Sequence, residues 1–279
     1  MIKVLNAGIY CSIQDQGRLG LAKKGIPQGG ALDSYSAELA NRLLKNSPTD
    51  AVVEITFGLG KFEFTYDTYI CLSGGHFSPK LNMTTMRMNR VYEVNKGDVL
   101  SFGKRSYGAR VYLAVQGGIQ SEEVLQSRSF AAGITRIRLE KGEELPIIPM
   151  ETYVEDAFSK VKVFKEHFEA TDLECFPGPE FDRLNTQQKK QLLQAFSISE
   201  DNNRVGYRLN EPIENDLDPI LTSAVLAGTV QLTPSGKLIV LLRDCQVTGG
   251  YPRVLQLSEV AISRLSQKVA GEEVRFEVR

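Results

Sequence analysis

Histidine is scarce in this chain: there are two in 279 residues, His76 and His167. A histidine-ligated metal or a Ser-His-Asp triad must therefore use one of them. His167 lies in the charged run FKEHFEA and reads as plain surface. His76 follows Ser73-Gly74-Gly75 after a strand, where it could face a ligand. The four cysteines, Cys11, Cys71, Cys175 and Cys245, are far apart and form no CxxC pair. That argues against a zinc site and a disulfide framework and fits a reducing compartment. No GxxxxGK(S/T) stretch exists, so the chain has no P-loop of its own. No run of about 18 apolar residues is present to span a bilayer, and the opening MIKVLNAGIYCSIQDQG lacks the apolar core of a signal peptide. The charges almost cancel, 33 basic against 34 acidic, so no global field draws the chain to nucleic acid or a membrane surface. No basic run is interleaved with aromatics. The expectation from these absences is a cytoplasmic protein that binds no metal, nucleic acid or membrane.

What the chain does have is short strand-like segments. KVLNAGIYCSIQD, AVVEITFGLGKFEFTY, TYICLSG, RVYEV, DVLSFG, ARVYLAV, TRIRLE, VKVFK, GTVQLT, LIVLLR and EVRFEVR are rich in β-branched and aromatic residues. Glycine, proline and charged turns bound most of them. Alternation such as Lys61-Phe62-Glu63-Phe64-Thr65-Tyr66 suits strands with one buried face. Three helices are expected. The first is capped by Asp33, with Tyr35, Leu39, Ala40, Leu43 and Leu44 as its apolar face. The second, over 185–197, opens at Asn185 and buries Leu192, Leu193 and Phe196. The third, over 258–269, is capped by Ser258, with Ile262, Leu265 and Val269 inward. Many strands and few helices imply a mostly β, barrel-like protein rather than a doubly wound one.

NKGDVLSFG at 95–103 and AGEEVRFEV at 270–278 share the shape Gly-acid-x-apolar-x-Phe, and KGEELPI at 141–147 is a fainter version. Either turn-strand units simply resemble one another, or the chain holds two related β halves. Their join would fall near PIIPMETYVEDAFSK, where prolines and a polar segment interrupt the strands. The expected domains are 1–150 and 151–279.

Four glycine-rich clusters carry acid, amide or arginine side chains: Gln14–Arg18, Gln28–Asp33, Gln116–Gly118 and Asp244–Arg253. Glycine lets backbone amides approach a ligand, arginine grips carboxylate or phosphate bidentately, and Asp and Gln pair with amides. Such a site suits a small polar molecule. Met86-Arg87-Met88 is no biotin acceptor, because arginine cannot take biotin through an amide bond.

SIQDQGRLG, GIPQGGALDSYSAELANRLL, YLAVQGGI, VLQSRSF, FPGPEFDRL, NNRVGYRL, GTVQLTPSGKLIVLLRDCQVTGGYPR and GEEVRF occur in order between residues 12 and 276, within a resemblance that runs from residue 2 to residue 276. Together they resemble the biotin-dependent carboxyltransferase family, also called allophanate hydrolase subunit 2. The resemblance implies two cyclophilin-like β-barrel domains with a few short helices. It implies one of two settings: the carboxyltransferase domain of urea carboxylase, acting on urea, or the free-standing C subunit of 5-oxoprolinase. In the second setting the partners are a homologous B subunit and a separate A subunit, and the complex uses ATP to open 5-oxoproline to glutamate. No cofactor is then expected on this chain itself. A further alternative is a regulatory protein that antagonises a kinase inhibitor.

By the same resemblance, Asp244, Arg18 and Arg253 are catalytic candidates. Asp15, Gln28, Gly30, Asp33, Arg128, Arg204, Gln231, Thr248, Gly249, Gly250 and Tyr251 are candidates for substrate binding, with Asn41 and Tyr207 inside matching motifs. Gly30 stands where relatives often carry Ser, and Cys245 where Ala is common.

Overall fold

The computed structural model of the chain describes residues 1–148, 163 and 165–279. Most of the expected VKVFK strand and most of the PIIPMETYVEDAFSK join lie outside the described residues. The chain divides into two compact units: Met1–Arg18 with Asp33–Phe168, and Leu19–Leu32 with Glu169–Arg279. The contact boundary thus falls between Phe168 and Glu169, where the sequence suggested 150/151, and residues 19–32 belong to the second unit.

The first unit is built from two sheets. One orders Glu144–Leu145, Ile2–Ala7, Gly60–Phe64, Val99–Ser101, Lys80–Leu81 and Thr84–Thr85; the other orders Tyr10–Gln14, Val52–Thr56, Tyr107–Val115, Thr68–His76 and Val91–Val94. They share one core, in which Ile2, Val4, Phe62 and Phe64 from the first sheet pack with Ile13, Val53, Ile55, Leu72, Val111 and Leu113 from the second. The alternation read in KFEF is seen directly: Phe62 and Phe64 are buried, Lys61 is exposed. Burying residues of this size is worth about 1.5–3 kcal/mol each, which is what holds two sheets face to face.

The second unit closes a barrel in the order Asp172–Pro177, Arg253–Leu257, Thr229–Leu232, Leu238–Leu241, Gly206–Leu209, Ala195–Asn202 and Glu273–Val278. Its only parallel ladder among the described residues joins Asp172–Pro177 to Glu273–Val278. Closure removes the unpaired edges that an open sheet would present. The mostly β architecture is therefore as expected.

The helices start where their caps predict. Asp33 accepts from the Ser36 amide to open Ser34–Leu43. Asn185 forms a capping box with Gln188 ahead of Thr186–Leu192, and Ser258 caps Glu259–Ser266. Two faces differ from expectation. The first helix packs on the Tyr107–Val115 and Thr68–His76 strands through small residues, Ser36, Ala37 and Ala40, while Tyr35 is exposed. Small side chains let a helix lie close to a sheet, so volume outranked hydrophobicity. The second helix ends at Leu192, leaving Leu193 exposed, and Phe196 sits in the Ala195–Asn202 strand. There Phe196 and Ile198 face the core with a period of two, and that pattern overrode the helical spacing. TRIRLE is not a strand: it forms turns, with Leu139 buried and its amide donating to the Cys11 carbonyl.

The repeated Gly-acid shape is a three-fold structural motif. In each copy the glycine N–H donates to a strand carbonyl, and the N–H of that same strand residue donates to the carbonyl of the following acid. The pairs are Gly97/Asp98 with Phe64, Gly142/Glu143 with Val4, and Gly271/Glu272 with Ile198, at 2.7–3.0 Å. The three glycines have φ of +93°, +93° and +82°, a region that costs an L-residue about 1–2 kcal/mol. The echo therefore has a physical basis: a turn that clips one chain segment to a neighbouring strand, used twice in the first unit and once in the second.

Candidate functional site

Asp15 is the hub of the first cluster, and its surroundings explain the QDQG and SRS motifs together. Its carboxylate accepts from the Gly17 amide at 2.7 Å, the Arg128 amide at 2.6 Å, Ser127 Oγ at 2.7 Å and Ser129 Oγ at 2.5 Å. Arg18, buried to 2% exposure, donates from Nη2 to the Ser129 carbonyl at 2.9 Å. Asp15, Arg18 and Arg128 are thus brought together, and these bonds staple loop 15–18 to loop 127–129. The Arg128 side chain reaches the Ser121 carbonyl and Glu123.

Asp33 anchors a second network in the same unit. Its carboxylate accepts from the Ser36 amide at 3.0 Å and Ser36 Oγ at 2.6 Å, and His167 Nε2 lies 2.9 Å from Oδ2. The Asp33 N–H donates to Tyr112 Oη at 2.8 Å, and Tyr112 in turn donates to Glu54 Oε2 at 2.9 Å. Arg110 lies 3.7 Å from the other Glu54 oxygen. Burial, with Glu54 and Asp33 alongside, pushes the Tyr112 hydroxyl well above the ordinary tyrosine range, so it stays a neutral donor. His167 was expected at the surface and is buried instead. The reason is Asp33: an imidazole that pairs with a buried carboxylate is drawn in, and the exposed Tyr35 ring and the buried Phe168 ring flank it at 4.8 and 4.9 Å. His76 takes a more modest place, with Nδ1 3.1 Å from Ser106 Oγ.

In the second unit the glycine pair of the 28–33 loop meets the RDCQ motif. The Gly29 amide donates to the Arg243 carbonyl at 2.9 Å. Arg204 donates to both oxygens of Asp244, from Nε at 2.8 Å and Nη2 at 3.0 Å, and Nη2 also reaches the Gly30 carbonyl at 2.7 Å. Gly30, Arg204 and Asp244 form one constellation, with Gln28 two residues from Gly30. Such bidentate, charge-assisted pairs are strong and geometrically specific. Tyr207 is buried in the neighbouring strand, with its hydroxyl 3.5 Å from the Lys268 carbonyl.

The last cluster surrounds Gln231, which faces Arg253 across the ladder. Gln231 is 2% exposed and its Nε2 is buried with no hydrogen-bond partner among the described residues. A Cβ at Gly249 would sit 2.6 Å from that nitrogen, so any larger residue there would push the Gln231 amide aside. A buried amide left unpaired costs free energy unless a ligand or water meets it. Thr248–Gly249 pairs with Ser223–Ala224, Gly250 accepts from the Ile220 amide at 2.9 Å, and Tyr251 is exposed. Arg253 already has partners: Nε and Nη2 donate to the two Glu180 oxygens at 2.9 Å each, and Nη1 to the Ala224 carbonyl at 2.8 Å. Hydrogen bonding from Arg253 pulls the Glu180 carboxyl below its ordinary range. The geometry makes Arg253 a holder of Glu180, so gripping a ligand carboxylate would require competing with Glu180.

All four thiols are buried and free, and burial raises them, Cys245 to about 11 and Cys11, Cys71 and Cys175 to about 12. None is poised as a thiolate nucleophile. Among the described residues, no group of three or more His, Cys, Asp or Glu could hold a metal ion.

Residues 24–278 match the family described as carboxyltransferase domain, subdomain A and B. The chain belongs to this family. The 5-oxoprolinase C subunit of Escherichia coli (strain K12) is 31% identical over 284 residues, covering 99% of this chain and 90% of that protein. The crystal structure of TTHA0988 is similar with a TM-score of 0.89 and 28% identity, covering 99% of this chain and 55% of that one. The Kluyveromyces lactis urea carboxylase structure gives a TM-score of 0.88 at 28% identity, over 99% of this chain and 27% of that one. The chain therefore spans about half of the first structure's chain and about a quarter of the second's. Members of the family thus include a named subunit of a multi-subunit enzyme and a domain within a larger one.

Sequence reading missed Glu54, Arg110, Tyr112, His167 and Glu180. Glu54 had a usable signal, since it is the one charge inside the apolar run AVVEITF and must be paired if that strand is buried. Tyr112 and His167 had none, because their partners are distant in sequence.

Proposed function

We propose that this chain is the C subunit of an ATP-dependent 5-oxoprolinase, working with a homologous B subunit and a separate A subunit to open 5-oxoproline to glutamate. The observation that carries the reading is the whole-length match to a protein of that name, 99% of this chain against 90% of the relative. The chain binds no cofactor of its own in this reading, and ATP is used by the complex. The unpaired, buried Gln231 amide beside Gly249 suits the carbonyl or carboxylate oxygen of a small lactam. Asp244, clamped by Arg204, orients rather than deprotonates, because the guanidinium holds both its oxygens. Oriented dipoles and charges of this kind can lower a barrier by about 3–4 kcal/mol.

The test is 5-oxoproline-dependent ATP turnover by this chain mixed with its B and A partners. Loss of turnover when this chain alone is omitted supports the reading. Equal turnover without it overturns the reading and favours a regulatory binding protein. The likeness to urea carboxylase supports a second reading, carboxyl transfer to urea. Carboxybiotin-dependent consumption of urea, with no response to 5-oxoproline, would establish it instead.

A further inference from the structure

The Asp33–His167 pair has the geometry of a general acid–base dyad. Hydrogen bonds donated to a carboxylate favour its ionised form, and the N-cap Asp33 accepts two, from the Ser36 amide and hydroxyl. An ionised carboxylate can only accept hydrogen bonds, so the contact at 2.9 Å requires His167 Nε2 to carry the hydrogen. Whenever the ring is neutral, its lone pair then resides on Nδ1. That nitrogen makes no hydrogen bond among the described residues, and 9% of the side chain is accessible to solvent. Tyr35 lies 4.8 Å from the ring at 43°, and Phe168 meets it edge-on at 4.9 Å and 89°. These walls fix the ring plane as the carboxylate fixes its tautomer. One nitrogen is thus used for orientation and the other left basic, the arrangement by which a carboxylate readies an imidazole for proton transfer.

We propose that His167, oriented by Asp33, is a general acid–base that exchanges a proton with a small-molecule substrate at Nδ1. This goes beyond the assignment of Asp33 as a binding residue and rests on the oxoprolinase reading only for the substrate. Ring opening of a lactam needs a proton removed from the attacking oxygen and one delivered to the departing nitrogen. Nδ1 takes the proton as the new C–O bond forms, and returns it to nitrogen as the C–N bond breaks. The ring ends neutral, and water has been added across the amide.

Because the chain has two histidines, nitrogen-15 histidine spectra of the intact protein can be assigned by comparing the wild type with His76→Gln. A His167 signal of the Nε2–H tautomer is expected, and the Nδ1–H tautomer would overturn the dyad whatever the substrate. In the reconstituted complex, His167→Gln keeps an N–H for Asp33 but removes the base. Turnover should fall by about 10²–10⁴-fold, with KM and melting temperature retained and part of the rate restored by added imidazole. Unchanged turnover in His167→Gln overturns the proposal. If the wild-type complex ignores 5-oxoproline, it is the oxoprolinase reading that fails, and the dyad is then judged on the tautomer.

Discussion

Asp33 in the first unit and Asp244 in the second are both partly or wholly buried carboxylates held by a cationic or basic side chain distant in sequence. Asp244 is gripped through both oxygens by Arg204, and a guanidinium stays charged throughout the physiological range. Asp33 faces His167, and imidazole is the side chain that gains or loses a proton near neutral pH. The first pair is a strut that ties the Gly30 carbonyl to the 204 and 244 loops; the second can take part in chemistry. The same residue type, in two loops that sequence alone grouped together, is given different work by its partner.

The strut is the easier to break. Arg204→Met leaves Asp244 without its counter-charge and the Gly30 carbonyl without its donor. Removing one partner from a buried pair costs about 3–5 kcal/mol, and the lower end applies because the Asp244 side chain keeps 14% exposure. Urea unfolding should show that loss, and an Asp244→Asn, Arg204→Met double variant should recover part of it. No loss in the single variant would mean that the clamp is not a strut. Asp33→Ala tests the other side of the comparison. It removes a helix cap, worth about 1–2 kcal/mol, and should also release His167 into a mixture of tautomers. A cap loss with the His167 tautomer unchanged would separate Asp33 from the imidazole and end the dyad argument.

How legible these features were follows from the range of their interactions. The caps at Asp33, Asn185 and Ser258 were readable because a cap is satisfied two or three residues away. The Gly-acid turns at 97, 142 and 271 were readable because glycine is required by the local φ. The apolar face of the first helix was legible only in part: Ala40 and Leu44 are buried as expected, but the closeness of the underlying sheet selected Ser36 and Ala37 over Tyr35. His167 was the largest miss. Its burial depends on a carboxylate 134 residues away, and a charged neighbourhood such as FKEHFEA gives no sign of it. The family resemblance named Asp33, Arg204 and Asp244 as site residues, but it is the fold that brings Arg204 to Asp244 and Arg253 to Glu180.

Glu180 provides the smallest and most graded form of the comparison. Its carboxyl is lowered chiefly by the hydrogen bond from Arg253, with a further contribution from the Arg253 amide. A folded-state value below the unfolded one contributes stability that is present above the ordinary glutamate range and is lost as pH falls through the folded value. Glu180→Gln lacks that contribution at every pH. The stability gap between wild type and Glu180→Gln should therefore be widest near neutral pH and close steadily as the solution is acidified below the ordinary glutamate range. Urea titrations across that range measure it. A gap that stays constant with pH would mean that the Glu180–Arg253 contact is packing rather than charge, leaving Arg253 free to meet a ligand carboxylate after all.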